Sequence, residues 1–125
     1  MRTTLISGTT IAFAAADLSA GGSDGPVAEI VTFRLIDGAD TAAFAEAANG
    51  MTGFLKETNA VSSRTLSCNA DGVWTDHITW TSLSAAKSAA SQLMAQPEAA
   101  PFISMIDGDT VQMTHAPILF VMPME

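Results

Sequence analysis

One stretch in the second half of the chain constrains the fold more than any other. From Val73 to Trp80 the residues alternate, with Trp74, Asp76, Ile78 and Trp80 on one side and Val73, Thr75, His77 and Thr79 on the other. A period of two is the pattern of a β-strand, in which successive side chains point to opposite faces of the sheet. One face combines two indole rings with a carboxylate, and the other combines β-branched residues with a histidine. Neither is an ordinary solvated surface, so we expect both to be covered.

A second strand precedes this one, and the turn between them decides which of its side chains lie beside the tryptophans. A two-residue loop would place Ser63, Thr65 and Ser67 there. A three-residue loop with Gly72 in the left-handed conformation would instead place Arg64, Leu66 and Cys68 there. The three-residue loop is favoured because it matches apolar residues with apolar residues.

The remaining periodic segments complete a set of strands and helices. Strands are predicted over 27–36, 61–69, 73–80 and 111–116, and helices from Asp40 to Leu55 and from Leu83 to Gln96, the latter capped by Ser82 and stopped by Pro97. Gly50 and Gly53 weaken the first helix, and Asp107-Gly-Asp109 marks a break before the last strand. The order strand, helix, strand, strand, helix, strand predicts a ferredoxin-like split βαβ α+β fold, with a four-stranded antiparallel sheet and both helices on one face.

Composition indicates the size of the protein and its partners. The chain has 125 residues, enough for a single domain, which we assign to residues 27–125. Hydrophobic residues make up 48% and charged residues only 14%, which favours burial of the bare sheet face in a homodimer. A net charge of -8 repels phosphate backbones, so nucleic acid is not an expected partner. The single cysteine, Cys68, excludes an internal disulfide framework.

The first twenty residues have the outline of a secretory signal. Arg2 is followed by an apolar centre from Leu5 to Ala16 and by the small residues that end at Ala20. We therefore expect residues 1–20 to be a cleaved signal peptide and 21–26 to be a flexible lead, which places the protein in the periplasm or outside the cell. The alternative is an extra strand or arm on a cytoplasmic protein. The segment is too short and too polar to span a membrane.

The element order and two local segments resemble a known superfamily. The strand ending in Trp80-Thr-Ser-Leu-Ser-Ala-Ala86 leads directly into an alanine-rich helix, and the turn Ala100-Pro-Phe-Ile103 precedes the last strand. Over residues 27–122 the chain resembles the dimeric α+β barrel proteins, and within them the antibiotic biosynthesis monooxygenase-like domains. The resemblance implies a homodimer in which two sheets pack face to face. It also implies a cavity between sheet and helices, in which some members oxygenate aromatic polyketides without metal or flavin.

Two branches of that family fit this sequence less well. The haem-degrading branch uses a histidine on the second helix as iron ligand, whereas this helix has none and carries Ala85, Ala86, Ala89 and Ala90 on its inner turns. The polyketide branch uses tyrosine in places, and this chain contains no tyrosine. The sequence also lacks a Gly-rich phosphate loop, a nucleophile elbow and a CxxC pair. We therefore predict no cofactor.

Four polar residues are candidates for a catalytic site. In the expected sheet the first strand lies between the third and the fourth, parallel to one and antiparallel to the other. Glu29, Asp76 and His115 then lie towards one end, on the face that the helices cover. Arg64 joins them if the three-residue loop is correct. A histidine beside carboxylates can act as a base towards a phenol or an activated carbon.

An apolar wall is expected around these polar residues. The predicted substrate-binding residues are Trp74, Trp80, Phe33, Phe102 and Met105. In most proteins such residues form the core, and the four polar residues are equally compatible with a structural network. One histidine and two carboxylates would also suit a divalent ion, but no short-spaced ligand pair supports it, and we predict no metal. His77, on the other face, is interpreted as a dimer-interface residue.

Two functions remain open at this point. The first is a cofactor-independent monooxygenase that acts on a small apolar or aromatic substrate in a pocket between sheet and helices. The second is a non-catalytic homodimer that binds such a molecule. The second function requires the pocket alone, whereas the first also requires a group that removes a proton.

Overall fold

The computed structural model describes residues 25–124. The predicted signal peptide over 1–20 and most of the predicted lead over 21–26 lie outside the described residues. In chain order the elements are β1 (Val27–Leu35), α1 (Thr41–Asn49), α2 (Thr52–Glu57), β2 (Val61–Cys68), β3 (Trp74–Trp80), α3 (Leu83–Leu93), α4 (Ala99–Ser104) and β4 (Ile106–Pro117). The predicted α+β class and the ferredoxin-like order of strands and helical regions are confirmed.

The first helical region begins as predicted but is divided in two. Asp40 is the N-cap of α1, and its Oδ2 accepts a hydrogen bond of 2.9 Å from the backbone N–H of Ala43. The expectation of one helix as far as Leu55 is wrong, because α1 ends before Gly50 and a separate helix follows. Glycine is a poor helix former, and this explains the break at that position.

The alanine-rich region is divided in the same way. Ser82 is the N-cap of α3, and its Oγ accepts a hydrogen bond of 3.1 Å from the N–H of Ala85. The expected helix end at Gln96 is wrong, because α3 stops at Leu93 and a turn leads to α4. Pro97 lacks a backbone N–H and disfavours helical geometry in the residue before it. No helix in the described part of the chain is both long and apolar enough to cross a membrane.

The strands form one sheet in the order β2-β3-β1-β4. Each neighbouring pair is antiparallel, which confirms the predicted four-stranded antiparallel sheet. The expectation that β1 has one parallel neighbour is wrong. Each helical connection returns the chain to the end of the sheet where the preceding strand began, so β1 and β2 run in one direction and β3 and β4 share a direction. The turn of the β2–β3 hairpin reverses the chain, and β3 and β4 therefore both run opposite to β1.

The hairpin has the predicted turn and register. Gly72 adopts a φ of 83°, in the left-handed region that glycine enters without steric cost. Across the hairpin Cys68 pairs with Trp74, and Arg64 pairs with Ile78. The prediction that Arg64 lies on the face of the tryptophans is therefore confirmed.

The last strand is longer than predicted. It covers Ile106–Pro117, so the predicted start at Val111 and the predicted break at Asp107 are wrong. A register shift in the β1–β4 pairing accommodates the acidic segment, and the N–H of Arg34 donates a hydrogen bond of 2.8 Å to Thr110 Oγ1. The segment therefore lies in the sheet as an irregularity rather than as a loop.

The helices cover one face of the sheet and form the core with it. Phe44 of α1 has no solvent exposure. Its ring contacts Phe33, Trp74 and Phe102 at centroid distances of 5.7, 4.9 and 5.1 Å. Offset and edge-on aromatic pairs of this kind stabilise a core beyond the area that they bury. On the opposite face of the sheet, His77 is half-buried and pairs with Ile30 of β1.

Candidate functional site

A cavity of about 120 Å³ lies between the inner face of the sheet and the helices. Its lining comes from all four strands and from the regions of α2, α3 and α4, and consists of Glu29, Val31, Phe33, Met51, Phe54, Leu55, Arg64, Asp76, Ile78, Trp80, Ala86, Ala89, Ala90, Leu93, Phe102, Ile103, Ile106, Val111 and Met113. Three of these residues are charged, and the rest of the wall is apolar. An apolar cavity of about 150 Å³ is enough to hold benzene. The space therefore suits a molecule of roughly one ring.

Small side chains on α3 leave this space free. Ala86, Ala89 and Ala90 line the cavity, and the first two of them are buried. Larger side chains on the same helix face would fill the gap between α3 and the sheet, as they do in ordinary cores. The alanine-rich sequence therefore determines the volume available to a ligand.

The four predicted catalytic residues occupy two adjoining rows of the inner sheet face. One row crosses the sheet from β2 to β4 as Arg64, Ile78, Glu29 and His115. Asp76 lies in the next row, opposite Val31. Because Ile78 separates Arg64 from Glu29 in the shared row, the residues form two pairs rather than the single cluster predicted. Within residues 25–124, no three His, Cys, Asp or Glu side chains are grouped in a way that could hold a metal ion.

The first pair joins β1 to the edge strand β4. Glu29 Oε1 lies 3.0 Å from His115 Nε2, and the two side chains are 13% and 12% exposed. Glu29 lines the cavity, whereas His115 is not among the lining residues. A carboxylate in hydrogen-bond contact with an imidazole can accept a proton and share it with the ring. The group of this pair that a ligand would meet is the carboxylate.

The second pair joins β2 to β3. Arg64 donates hydrogen bonds from Nε to Asp76 Oδ1 at 2.9 Å and from Nη2 to Asp76 Oδ2 at 2.7 Å. Its Nη1 donates to the carbonyl oxygen of Ala48 at 2.8 Å, and the guanidinium carbon lies 5.4 Å from the centre of the Phe102 ring. The side chains of Arg64 and Asp76 are only 16% and 8% exposed. A buried, bidentate pair that also ties β2 to a helix has the features of a structural link.

The predicted substrate-binding residues divide into two groups. Phe33, Phe102 and Trp80 line the cavity. Trp74 and Met105 are not among the lining residues, and Trp74 instead packs edge-on against a core phenylalanine. The indole Nε1 of Trp80 is a buried donor without a hydrogen-bond partner in the part of the chain described.

Sequence reasoning missed the aliphatic part of the wall. The missed lining residues include Leu55 and Phe54 of α2 and Ile106, Val111 and Met113 of β4. Val111 and Met113 share their alternation with His115, which was the available signal for the β4 side. The α2 side carried the signal of an apolar stripe that contains Met51 and Leu55. Neither signal distinguishes a cavity wall from a filled core, because a wall and a core give the same apolar pattern in the sequence.

Comparisons with known proteins place the fold. No protein-family model matches the chain, and no curated protein matches it. Solved structures do match. SnoaB, a cofactor-independent oxygenase from Streptomyces nogalater, is 17% identical with a TM-score of 0.65 and covers 82% of this chain and 100% of its own. An antibiotic biosynthesis monooxygenase-like protein from Bordetella bronchiseptica is 13% identical with a TM-score of 0.65, covering 77% of this chain and 99% of its own.

A third solved structure of the same shape carries a different activity. Hydroxynitrile lyase from Passiflora edulis is 13% identical with a TM-score of 0.61, and covers 81% of this chain and 100% of its own. Together these likenesses confirm the predicted fold, which this chain shares with solved structures of antibiotic biosynthesis monooxygenase-like proteins. Since one fold carries both an oxygenase and a lyase, the choice of function rests on the site.

Proposed function

We propose that this protein binds a small apolar or aromatic molecule in the cavity between sheet and helices and oxygenates it without a cofactor. The observation that carries the proposal is a cavity with an almost wholly apolar wall that contains a carboxylate paired with a histidine. The apolar wall favours an apolar ligand, and the carboxylate supplies a base. The fold shared with a cofactor-independent oxygenase supports the same reaction class.

The volume of the cavity defines the class of substrate. At about 120 Å³ it is close to the size of a cavity that holds benzene, and a fused aromatic polyketide exceeds it. Phe33, Phe102 and Trp80 present aromatic surface to such a ring. The proposed substrate is therefore a single-ring compound with an activated C–H or O–H group.

The proposed reaction needs no external reductant. Removal of a proton from a ring CH₂ group, which a hydroquinone has in its keto tautomer, leaves an anion that can donate electrons to O₂. One oxygen atom becomes a carbonyl oxygen on that carbon, and the other leaves as water with the two hydrogen atoms that the substrate loses. The protein has to bind the ring, keep bulk water away and accept the first proton.

The test supplies one-ring hydroquinones, with methylhydroquinone first, under ¹⁸O₂. We expect oxygen consumption above the uncatalysed rate and ¹⁸O in the product. The matched control is Ala90→Leu, which places a larger side chain in the cavity wall and should abolish both signals. Quenching of tryptophan fluorescence without oxygen consumption would refute the oxygenase and leave the alternative, a non-catalytic protein that binds such a molecule.

A homodimer is part of the same proposal, with the outer sheet face as its interface. Three rows of paired residues form the middle of that face: Ser63, Thr79, Ala28 and Ala116; Thr65, His77, Ile30 and Thr114; and Ser67, Thr75, Thr32 and Gln112. None of these residues is Asp, Glu, Lys or Arg, although the chain has a net charge of -8. Two copies therefore meet there without direct repulsion between acidic side chains.

Light scattering at micromolar concentration tests this interface. The wild type should have the mass of a dimer, and Thr79→Glu, which places a carboxylate on the outer face, should have the mass of a monomer. Ala42→Glu, at an exposed position on α1, is the matched control and should remain dimeric. A monomeric wild type, or a dimeric Thr79→Glu protein, would contradict the proposed interface.

A further inference from the structure

His77 lies at the centre of the outer sheet face. It belongs to β3 and pairs with Ile30 of β1, and these two strands are the middle strands of the sheet. Thr65 and Thr114 complete the row, which is the middle one of the three rows in the proposed interface. In a two-fold dimer that uses the same patch of both copies, residues near the axis meet their own counterparts. The two His77 side chains therefore lie close to the axis of the proposed dimer.

This face offers no counterion to a charged imidazole. Every residue of the two rows beside that of His77 is Ala, Ser, Thr or Gln. The nearest charged side chains of this face among residues 25–124 are Arg34 and Asp107, which pair two rows away. Two rows correspond to about 14 Å along a strand, which exceeds the screening length of about 10 Å at moderate salt. Arg34 is also held at the hairpin turn, where its Nη1 donates to the carbonyl oxygen of Asp71 at 2.8 Å.

The second histidine of the chain is in the opposite situation. His115 faces the inner side of the sheet, and its Nε2 lies 3.0 Å from a carboxylate oxygen of Glu29. A proton on that ring gains a partner, and the pair is away from the proposed interface. A proton on His77 gains none from the described residues of its face. Of the two histidines, only His77 would carry an unpaired charge into the interface.

We propose that protonation of His77 separates the two subunits, so that the protein is a dimer at neutral pH and a monomer in mild acid. This inference rests on the homodimer of the proposed function. A half-buried ring can be hydrated in the free subunit, whereas the second copy would remove that water. Burial of a charge without a partner is unfavourable, and two such charges near one axis also repel each other. The neutral imidazole carries neither cost.

The direction of the pH effect follows from proton counting. If the ring is charged only in the free subunit, dissociation of one dimer takes up two protons. A histidine gains its charge over the range in which such a switch would act, so the dissociation constant should rise by about 100-fold from pH 7.5 to pH 5.5. The net charge of -8 acts in the opposite direction, because acid reduces the repulsion between two acidic chains. Weaker association in acid therefore points to a site within the interface.

Sedimentation equilibrium at pH 7.5, 6.5 and 5.5 measures the dissociation constant, and circular dichroism at each pH verifies that the chain stays folded. The wild type should show the 100-fold rise, approaching two protons per dimer in its slope. His77→Gln, which stays neutral, should remain dimeric at every pH. His77→Lys, which is charged throughout, should be a monomer already at pH 7.5. His115→Gln is the matched control for the second histidine and should keep the pH dependence of the wild type.

The outcomes separate this switch from the dimer on which it rests. A wild type that is monomeric at pH 7.5 refutes both. A wild-type dimer whose dissociation constant changes less than threefold between pH 7.5 and 5.5 refutes the switch and leaves the dimer. The assignment to His77 also fails if His77→Gln weakens in acid as the wild type does, or if the wild type loses its circular dichroism at pH 5.5, since unfolding would then cause the loss of the dimer.

Discussion

Removal of the carboxylate of Asp76 should destabilise the protein strongly, whereas removal of the whole Arg64–Asp76 pair should not. In Asp76→Ala, the Arg64 guanidinium loses both hydrogen bonds to the carboxylate and keeps only the one to the Ala48 carbonyl. With 16% of its side chain exposed, Arg64 cannot be fully hydrated in place of these bonds. Breaking a buried ion pair from one side costs about 3–5 kcal/mol, and the slight exposure favours the lower end, about 3 kcal/mol.

Urea unfolding followed by tryptophan fluorescence measures this cost. With an m value of about 2 kcal/mol/M, the loss in Asp76→Ala lowers the midpoint by about 1.5 M. The double variant Arg64→Met with Asp76→Leu removes both charges, and buried pairs replaced in this way are often neutral. The Ala48 carbonyl is not left unpaired in the double variant, because it also accepts the N–H of Met51. A single variant that loses less than about 1 kcal/mol, or a double variant as unstable as the single, would refute the structural link.

Three further expectations can be measured independently of the ligand. Gly72→Ala should lose about 1 kcal/mol in the same urea assay, because alanine is strained at a φ of 83°, whereas the control Gly53→Ala, inside α2 with open space around the added carbon, should gain stability. Ala90→Leu should stabilise the protein by about 1 kcal/mol by filling the cavity, and a loss of stability would mean that the wall has no room there. The signal peptide over residues 1–20 stays a prediction, and mass spectrometry of protein from the native periplasm or medium should find Gly21 at the N-terminus, while an intact chain would contradict it.

The parts of the fold that sequence predicted are those that local chemistry determines. The alternation around Asp76 fixes which face it occupies, and Gly72 fixes the hairpin register because only one turn geometry suits a left-handed residue there. The caps at Asp40 and Ser82 are likewise local, since each hydroxyl or carboxylate contacts an N–H three residues away.

The parts that sequence could not predict depend on distances between elements. The division of the polar residues into two pairs follows from Ile78, whose position between them appears only when three strands are in register. The Trp80 Nε1, which has no hydrogen-bond partner among residues 25–124, depends on how several elements pack around it. The pattern of α3 specifies its inner alanines but not the distance from helix to sheet, so an alanine stripe indicates close packing and an open cavity equally well.

The distance between α3 and the sheet decides whether the alanine face of α3 packs closely or borders a cavity. A cavity in a core costs about 24 cal/mol for each Å³, so the 120 Å³ beneath α3 costs at most about 3 kcal/mol. This is a large share of the roughly 5–15 kcal/mol that stabilises a typical domain. One larger side chain at Ala86, Ala89 or Ala90 would recover part of it, yet all three positions carry the smallest side chain that still has a Cβ. The cost falls on the space bordered by Glu29 and Trp80, so a ligand that fills the volume would offset it.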